Sequence, residues 1–328
     1  MNAADAPPRG TEAPATLPWS GLLAVDKSAG MTSHDVVEVV RRRLRAAGAG
    51  HLGTLDPGAT GLLLLALGAA TRCVPVWQGG EKTYEATLRF GVVTSTQDLE
   101  GEVLSRRPVD LDEARVRAAS AAFVGDLQQV PPMVSALKIG GERLHRIARR
   151  GGTVERRPRP VRVSEWRWTA FALPEASFRV RCSGGTYVRT LAHDLGASLE
   201  CGAALKALRR LRSEPFGLER AVTSGDLDRM APAAVLAQAG IPLDEALEVL
   251  PSITLDEAAI AQVGHGQRPA LAPPPGAVLG AGPRSIVARE PGGRVIALGE
   301  LVPDPAGPGR ALFCPRTVFP WAVRQGPG

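Results

Sequence analysis

The stretch that most constrains this chain is Gly50-His51-Leu52-Gly53-Thr54-Leu55-Asp56-Pro57-Gly58-Ala59-Thr60-Gly61, followed at once by the apolar run Leu62 to Gly68. The run must be buried, so the loop before it sits at the margin of a core and carries one carboxylate, Asp56, among four glycines and a proline. Glycines let backbone N–H groups approach a phosphate, and they equally permit a tight turn that thrusts one side chain into a cleft. Gly53 and Gly58 have the gap of a phosphate-binding loop, but the lysine that should follow is Ala59, which argues against nucleotide binding. Asp56 is then a general base, a metal ligand or a nucleophile, or it caps its own Asp-Pro-Gly turn, the commoner role for such a residue taken alone. No second Asp, Glu, His or Cys stands at ligand spacing beside it, so no metal is expected.

The 328 residues, 44% of them hydrophobic, suffice for a large core and suggest one large and one small domain. No apolar run approaches the roughly 20 residues that span a bilayer, and the N-terminus lacks a signal-peptide pattern, so a cytoplasmic protein is expected. Cys73, Cys182, Cys201 and Cys314 are scattered without a CxxC pair, as reduced core thiols would be. The net charge of +6 is concentrated in arginine clusters: Arg41, Arg42, Arg43 and Arg45; eight arginines between Gly141 and Arg162; and Lys206, Arg209, Arg210 and Arg212. Three such patches suggest a surface for a polyanion, nucleic acid first, with a solvated basic face as the plain alternative.

Residues 1–18 are rich in Pro, Ala and Thr and read as a disordered tail. Leu22 to Val25 reads as a buried strand, and Thr32-x-x-Asp35 as a capping box opening a helix with Val36, Val37, Val40 and Leu44 on one face. Lys82 to Phe90 alternates strictly, which predicts a half-buried strand with Tyr84 on its apolar face, where a plain core role is as good an account as a functional one. Leu111 to Val124 is predicted helical, with Gln129-Val130-Pro131-Pro132 opening an extended segment to Lys138. Phe178, Val180 and Cys182 form another strand, and Ser183-Gly184-Gly185 leads into a helix with Val188, Leu191, Leu195 and Leu199 inward. Arg189 falls in that helix's first turn, where a cation opposes the dipole; a surface salt bridge would account for it equally well. From Pro251 the texture becomes β-rich: a short helix to Val263, the Pro273-Pro274-Pro275-Gly276 tract, a hairpin about Pro291-Gly292-Gly293, and a strand over Ala311 to Cys314.

Taken together, Gly50-His51-x-Gly53-Thr54-Leu55-Asp56-Pro57-x-Ala59-Thr60-Gly61, Lys82-x-Tyr84, Gln129-x-Pro131-Pro132-x-x-Ser135-Ala136-x-Lys138, Cys182-Ser183-x-Gly185-Thr186-Tyr187-x-Arg189 and Leu208-Arg209-Arg210-Leu211 resemble, in order, the bacterial TruB family of tRNA pseudouridine synthases. The likeness covers about residues 20 to 220. It implies an α+β fold with a mixed, mainly antiparallel sheet flanked by helices (19–250) and a small C-terminal β-rich, PUA-like RNA-binding domain (251–328). It further implies isomerisation of uridine-55 in the tRNA T loop, without cofactor or metal, by a monomer whose partner is the tRNA T arm. Asp56 would be the catalytic aspartate, attacking C1′ of the nucleotide or C6 of the base. Tyr84 would stack on the uracil, Arg189 would pair with Asp56, Leu208 would pack beside the base, and His51 would occupy or hold open the space the flipped nucleotide leaves. A guanidinium beside Asp56 makes chemical sense, because a carboxylate in a water-excluding pocket otherwise takes up a proton and ceases to be a nucleophile. Ser28, Leu52, Ser95, Val134 and His145 depart from the family's usual residues. A non-catalytic RNA-binding protein is the competing expectation, and it leaves the joint presence of Asp56, Tyr84 and Arg189 without a reason.

Overall fold

The computed structural model describes residues 19–135, 137–273, 285–307 and 309–323. The expected tail over 1–18 and most of the Pro273–Gly276 tract lie outside the described residues. The chain starts with β1 (Gly21–Lys27), helix α1 (Ser33–Arg43), β2 (Ala49–His51) and β3 (Thr60–Leu67). Thr32 and Asp35 form the expected capping box, and Val36, Val37, Val40 and Leu44 are buried. A short helix α2 (Val74–Gln78) then leads to β4 (Lys82–Phe90), whose burial alternates residue by residue as its sequence does. The hairpin β5 (Val92–Thr94) and β6 (Val103–Arg106) precedes α3 (Glu113–Ser120) and β7 (Gly125–Gln129).

One expectation is corrected. The helix predicted to run to Val124 ends at Ser120 and a 3-10 turn over Ala121–Phe123, and Gly125–Gln129 is a strand. Gly-Asp-Leu-Gln-Gln gave no alternation to detect because β7 is the sheet's outermost strand and buries little of itself. Further on, the basic stretch contains the small hairpin β8 (Lys138–Ile139) and β9 (Glu142–Arg143), helix α4 (Leu144–Arg149), and then the fourteen-residue strand β10 (Arg159–Ala172), where Val161 and Val163 point inward between exposed arginines.

β11 (Glu175–Cys182), α5 (Val188–Ser198) and β12 (Ala203–Ser213) complete the central part, followed by β13 (Phe216–Gly217), β14 (Val222–Thr223), α6 (Ser224–Arg229), α7 (Pro232–Ala239), β15 (Gly240–Pro242) and α8 (Leu243–Ala246). The resulting eleven-stranded sheet has the order β14-β1-β3-β12-β4-β11-β10-β7, with β2 on β3, β13 on β12 and β15 on β1. It is mixed and mainly antiparallel; β1 with β14 and β3 with β12 are parallel. β3 is central and buried on both faces, which is what the unbroken apolar run demanded. Leu63, Leu65 and Leu67 pack with α1 and α5, whereas Leu62, Leu64 and Ala66 face Trp77, Ile241 and Leu243.

The remainder forms a five-stranded sheet: β16 (Ser252–Thr254), then helix α9 (Glu257–Gly264), β17 (Ala270–Leu271), β18 (Ser285–Arg289), β19 (Val295–Pro303) and β20 (Ala311–Val318), in the order β16-β18-β19-β20-β17. Val287 and Val295 of this sheet and Phe319 just after it share one apolar cluster with Leu22 and Leu64 of the large one, so the two sheets meet through an apolar seam. All four cysteines are free, and burial pushes Cys182 up to about 12 and Cys73 up to about 11. Among the described residues, no helix is long and apolar enough to cross a membrane.

Candidate active site

Asp56 sits in the turn between β2 and β3, just before the core strand begins. The turn is closed by its backbone, the Ala59 N–H donating to the Asp56 carbonyl at 3.1 Å, so the carboxylate is left to face outward into a cleft. Lys27, wholly buried at the end of β1, donates to the carbonyls of Ser28, Met31 and Pro57 at 3.0, 2.8 and 3.1 Å and so fixes the Asp56–Pro57 corner. Its burial lowers its own pKa, and the charge it retains attracts Asp56.

The cleft, of about 400 Å³, lies over the middle of the large sheet and is walled by the Asp56 loop, Tyr84 on β4, Tyr187 and Arg189 at the start of α5, and Leu208 and Arg210 on β12. Asp56, Tyr84, Arg189 and Leu208, chosen from positions spread over more than 150 residues, therefore converge on one cavity. Arg189 is 4% exposed, which removes the surface salt bridge as its explanation. Its Nη2 lies 3.3 Å from Asp56 Oδ2, its Nη1 lies 3.6 Å from Asp98 Oδ2, and Nη2 donates to the Val134 carbonyl at 2.6 Å. The departure at Val134 thus leaves this contact intact, since a backbone oxygen makes it. Helix α5 is itself held by Gln129, which donates to the Tyr187 carbonyl and accepts from the Tyr187 N–H. The opposing helix dipole is offset by the two carboxylates facing Arg189.

Burial raises the pKa of Asp56 above the usual carboxylate range; Arg189 pulls it back, Asp98 pushes it up, and Lys27 lowers it. The Asp56 side chain nonetheless remains 40% exposed, toward the space a substrate would enter. One guanidinium shared by two carboxylates is a device for keeping a half-desolvated acid ionised and aimed. Tyr84 is 8% exposed: its ring belongs to the core and also lines the cleft. Burial raises its phenol pKa, and the Arg210 guanidinium opposes the rise. Lys82, also in the wall, is lowered to about 8 by burial and by Arg210.

His51 is not brought into this cavity. It ends β2, paired with Leu65 of β3, and is not among the residues lining the cleft. Two further charged residues belong to the site. Arg210 falls in a basic patch by sequence, and only its i, i+2 relation to Leu208 on one strand signals that it faces the cleft. Asp98 is found only through its approach to Arg189. The third basic patch itself is not a free surface: Lys206 pairs with Glu175, Arg209 grips Asp26 through both terminal nitrogens, Arg212 pairs with Glu214 and Glu219, and Arg210 is buried. Arg146, Arg157 and Arg159 of the central cluster are exposed.

Among the described residues, no cluster of three or more His, Cys, Asp or Glu side chains is placed to hold a metal ion. The mixed, mainly antiparallel α+β sheet thus carries a carboxylate–guanidinium pair in a central cleft. The chain superimposes with a TM-score of 0.68 on a chain of a Cbf5–Nop10–Gar1 complex, at 28% identity over 91% of this chain and 84% of the other. It does so at 0.66 on a chain of an H/ACA ribonucleoprotein bound to a substrate RNA containing 2′-deoxyuridine, at 26% identity with the same coverage. Residues 41–188 match the TruB family pseudouridylate synthase N-terminal domain, and residues 189–248 match the tRNA pseudouridylate synthase B C-terminal domain. Relatives called tRNA pseudouridine synthase B include one from Thermobifida fusca, 46% identical over 85% of this chain and 94% of its own, and one from Burkholderia mallei, 48% identical over 76% and 82%. The chain belongs to the TruB family of tRNA pseudouridine synthases and is an isomerase of that type.

Proposed function

We propose that the protein converts uridine-55 in the T loop of tRNA to pseudouridine, with Asp56 as nucleophile on a flipped-out nucleotide. The observation that carries this is the Asp56–Arg189 pair at the floor of a cleft walled by the Tyr84 ring. A uracil stacked in a folded RNA cannot present its glycosidic bond to a recessed carboxylate, so the nucleotide must leave the stack, and an aromatic face receives it. The N1–C1′ bond then breaks, the ring turns, and C1′ joins C5; the C5 proton is released and N1 gains one, so atoms balance without a cofactor. Asp56 attacks C1′ or C6, Tyr84 stacks on the base and helps remove the C5 proton, Leu208 packs beside the base, and His51 contacts RNA from β2 outside the cavity.

Residues 19–250 are taken as the catalytic domain and 251–328 as a PUA-like RNA-binding domain, with the exposed arginines near Arg157 meeting the phosphates of the T arm. The protein is taken as a cytoplasmic monomer. A purely RNA-binding protein has the same use for surface arginines but none for a buried guanidinium shared by two carboxylates, whose desolvation is costly. The test is incubation of the purified protein with a T-arm minihelix, followed by mass-shift labelling of pseudouridine. The expected result is one label at the target uridine and none when cytidine replaces it; an unlabelled uridine minihelix would refute the proposal.

A further inference from the structure

Asp98 reaches Arg189 from the turn that joins β5 to β6, and the residue before it, Gln97, has φ +68°. A left-handed backbone is unfavourable for a glutamine, so its surroundings must hold it there. The Gln97 N–H donates to the Thr94 carbonyl at 3.4 Å, and its carbonyl accepts from the Leu205 N–H of β12 at 2.9 Å. Its side-chain Oε1 accepts from the Thr190 hydroxyl at 2.7 Å. Thr190 is 2% exposed and follows Arg189 directly on α5, so this bond ties the turn to the stretch of helix that carries the guanidinium. Within the turn, Asp98 Oδ1 accepts from the Thr96 hydroxyl at 2.5 Å and from the Glu100 N–H at 3.1 Å, which leaves Oδ2 for Arg189 Nη1 at 3.6 Å. The same Nη1 donates to the Thr96 carbonyl at 3.4 Å.

We propose that Gln97 and Thr190 are a positioning pair for Asp98: their side-chain bond registers the β5–β6 turn on α5 and sets the second carboxylate against the guanidinium that Asp56 shares. This rests on the reading of Asp56 as nucleophile given above. Neither residue lines the cleft, and both act through Asp98 and Arg189. The charged groups that face Asp56 are Arg189, Asp98 and Lys27, with Lys82 and Arg210 across the cleft and Glu100 and Lys206 on the other side of the loop. Tyr84 and Tyr187 also line the cleft, and burial raises both phenols, so they stay neutral where a carboxylate titrates. Of all these, Asp98 and Glu100 ride on the turn that Gln97 holds. With the bond lost, the turn is released from α5 and its carboxylates recede. Asp56 then meets less negative charge and keeps more of Arg189 to itself, and both effects lower its pKa.

Aspartate labelled with 13C at Cγ follows the Asp56 titration without reference to turnover, its resonance assigned by its loss in Asp56→Asn. Thr190→Val keeps the shape of the side chain and removes the donor. The Asp56 midpoint is expected to move to lower pH in this variant, by a large part of the shift that Asp98→Asn produces. Thr190→Ser, which keeps the hydroxyl, should titrate as the wild type does. Thr190→Val added to Asp98→Asn should move the midpoint no further, because changes that act through one contact do not add. The acid limb of single-turnover conversion of the T-arm minihelix should follow the midpoint in each variant. An unmoved midpoint in folded Thr190→Val, an equal shift in Thr190→Ser, or a further shift on top of Asp98→Asn overturns the proposal. Should Thr190→Val fail to fold, Gln97→Gly removes the acceptor at a partly exposed position and suits φ +68°: the same downward shift supports the proposal, and an unmoved midpoint overturns it. A wild-type protein that leaves the minihelix uridine unlabelled refutes the reaction itself, while the titration still tests the pair.

Discussion

Arg189→Met removes the charge at the centre of the site while keeping an apolar side chain of similar length in the buried channel. The change leaves Asp56 facing Asp98 without the cation that lies 3.3 and 3.6 Å from them. Two unit charges about 4 Å apart attract by about 4 kcal/mol at an effective dielectric near 20. Asp56 is 40% exposed, so solvent screens part of this, and we take ~2 kcal/mol, or ~30-fold in rate, as the expected loss. The sign with pH follows from burial: the Asp56 pKa already stands above its ordinary value, and Arg189 is the main influence lowering it. The reactive carboxylate is lost as pH falls through the folded-state pKa, and without Arg189 that loss begins at higher pH. Single-turnover rates on the T-arm minihelix across pH should therefore show a deficit that is deepest on the acid side and narrows on the alkaline side. A deficit of constant size at every pH, or a wild-type rate, would refute the electrostatic role and leave Arg189 as a packing residue.

Asp98→Asn should move the acid limb of the same profile the other way, to lower pH, because Asp98 raises the Asp56 pKa; a pH–rate series checks the direction. Gly61→Ala should destabilise the fold by at least ~2 kcal/mol in denaturant titration, since it combines φ +98° with overlap on the Arg210 backbone. Replacing exposed Arg157 and Arg159 by Ala should weaken minihelix binding and flatten its salt dependence by about one unit of slope per lost phosphate contact. Lys206→Ala, whose ammonium is already paired with Glu175, should leave both unchanged in the same titration.

Much of the fold could be read from pattern. Strict alternation located β4, the capping box located α1, and the unbroken leucine run marked a buried segment, which the structure shows as a strand covered on both faces. The carboxylate, aromatic ring and guanidinium were legible as types in motifs far apart in sequence, and pairing of β4 with β12 and docking of α5 bring them together. What was hidden had physical reasons. β7 is an edge strand whose polar residues carry no period. The charges on β12 looked like an RNA-binding patch because a charge count cannot see partners: Asp26, Glu175, Glu214 and Glu219 neutralise them from other segments. Arg210 was concealed among them, buried with its guanidinium on the carbonyls of Leu62 and Gly53.

The central claim is that Asp56 performs the chemistry, and Asp56→Asn tests it with the least change in shape. The amide keeps the side chain's size and removes the charge whose burial is unfavourable, so the variant should fold and bind the T-arm minihelix with wild-type affinity. Mass-shift labelling after prolonged incubation at stoichiometric enzyme should then find no pseudouridine. Turnover at the wild-type rate in a variant confirmed by intact mass would contradict the assignment of Asp56 as nucleophile.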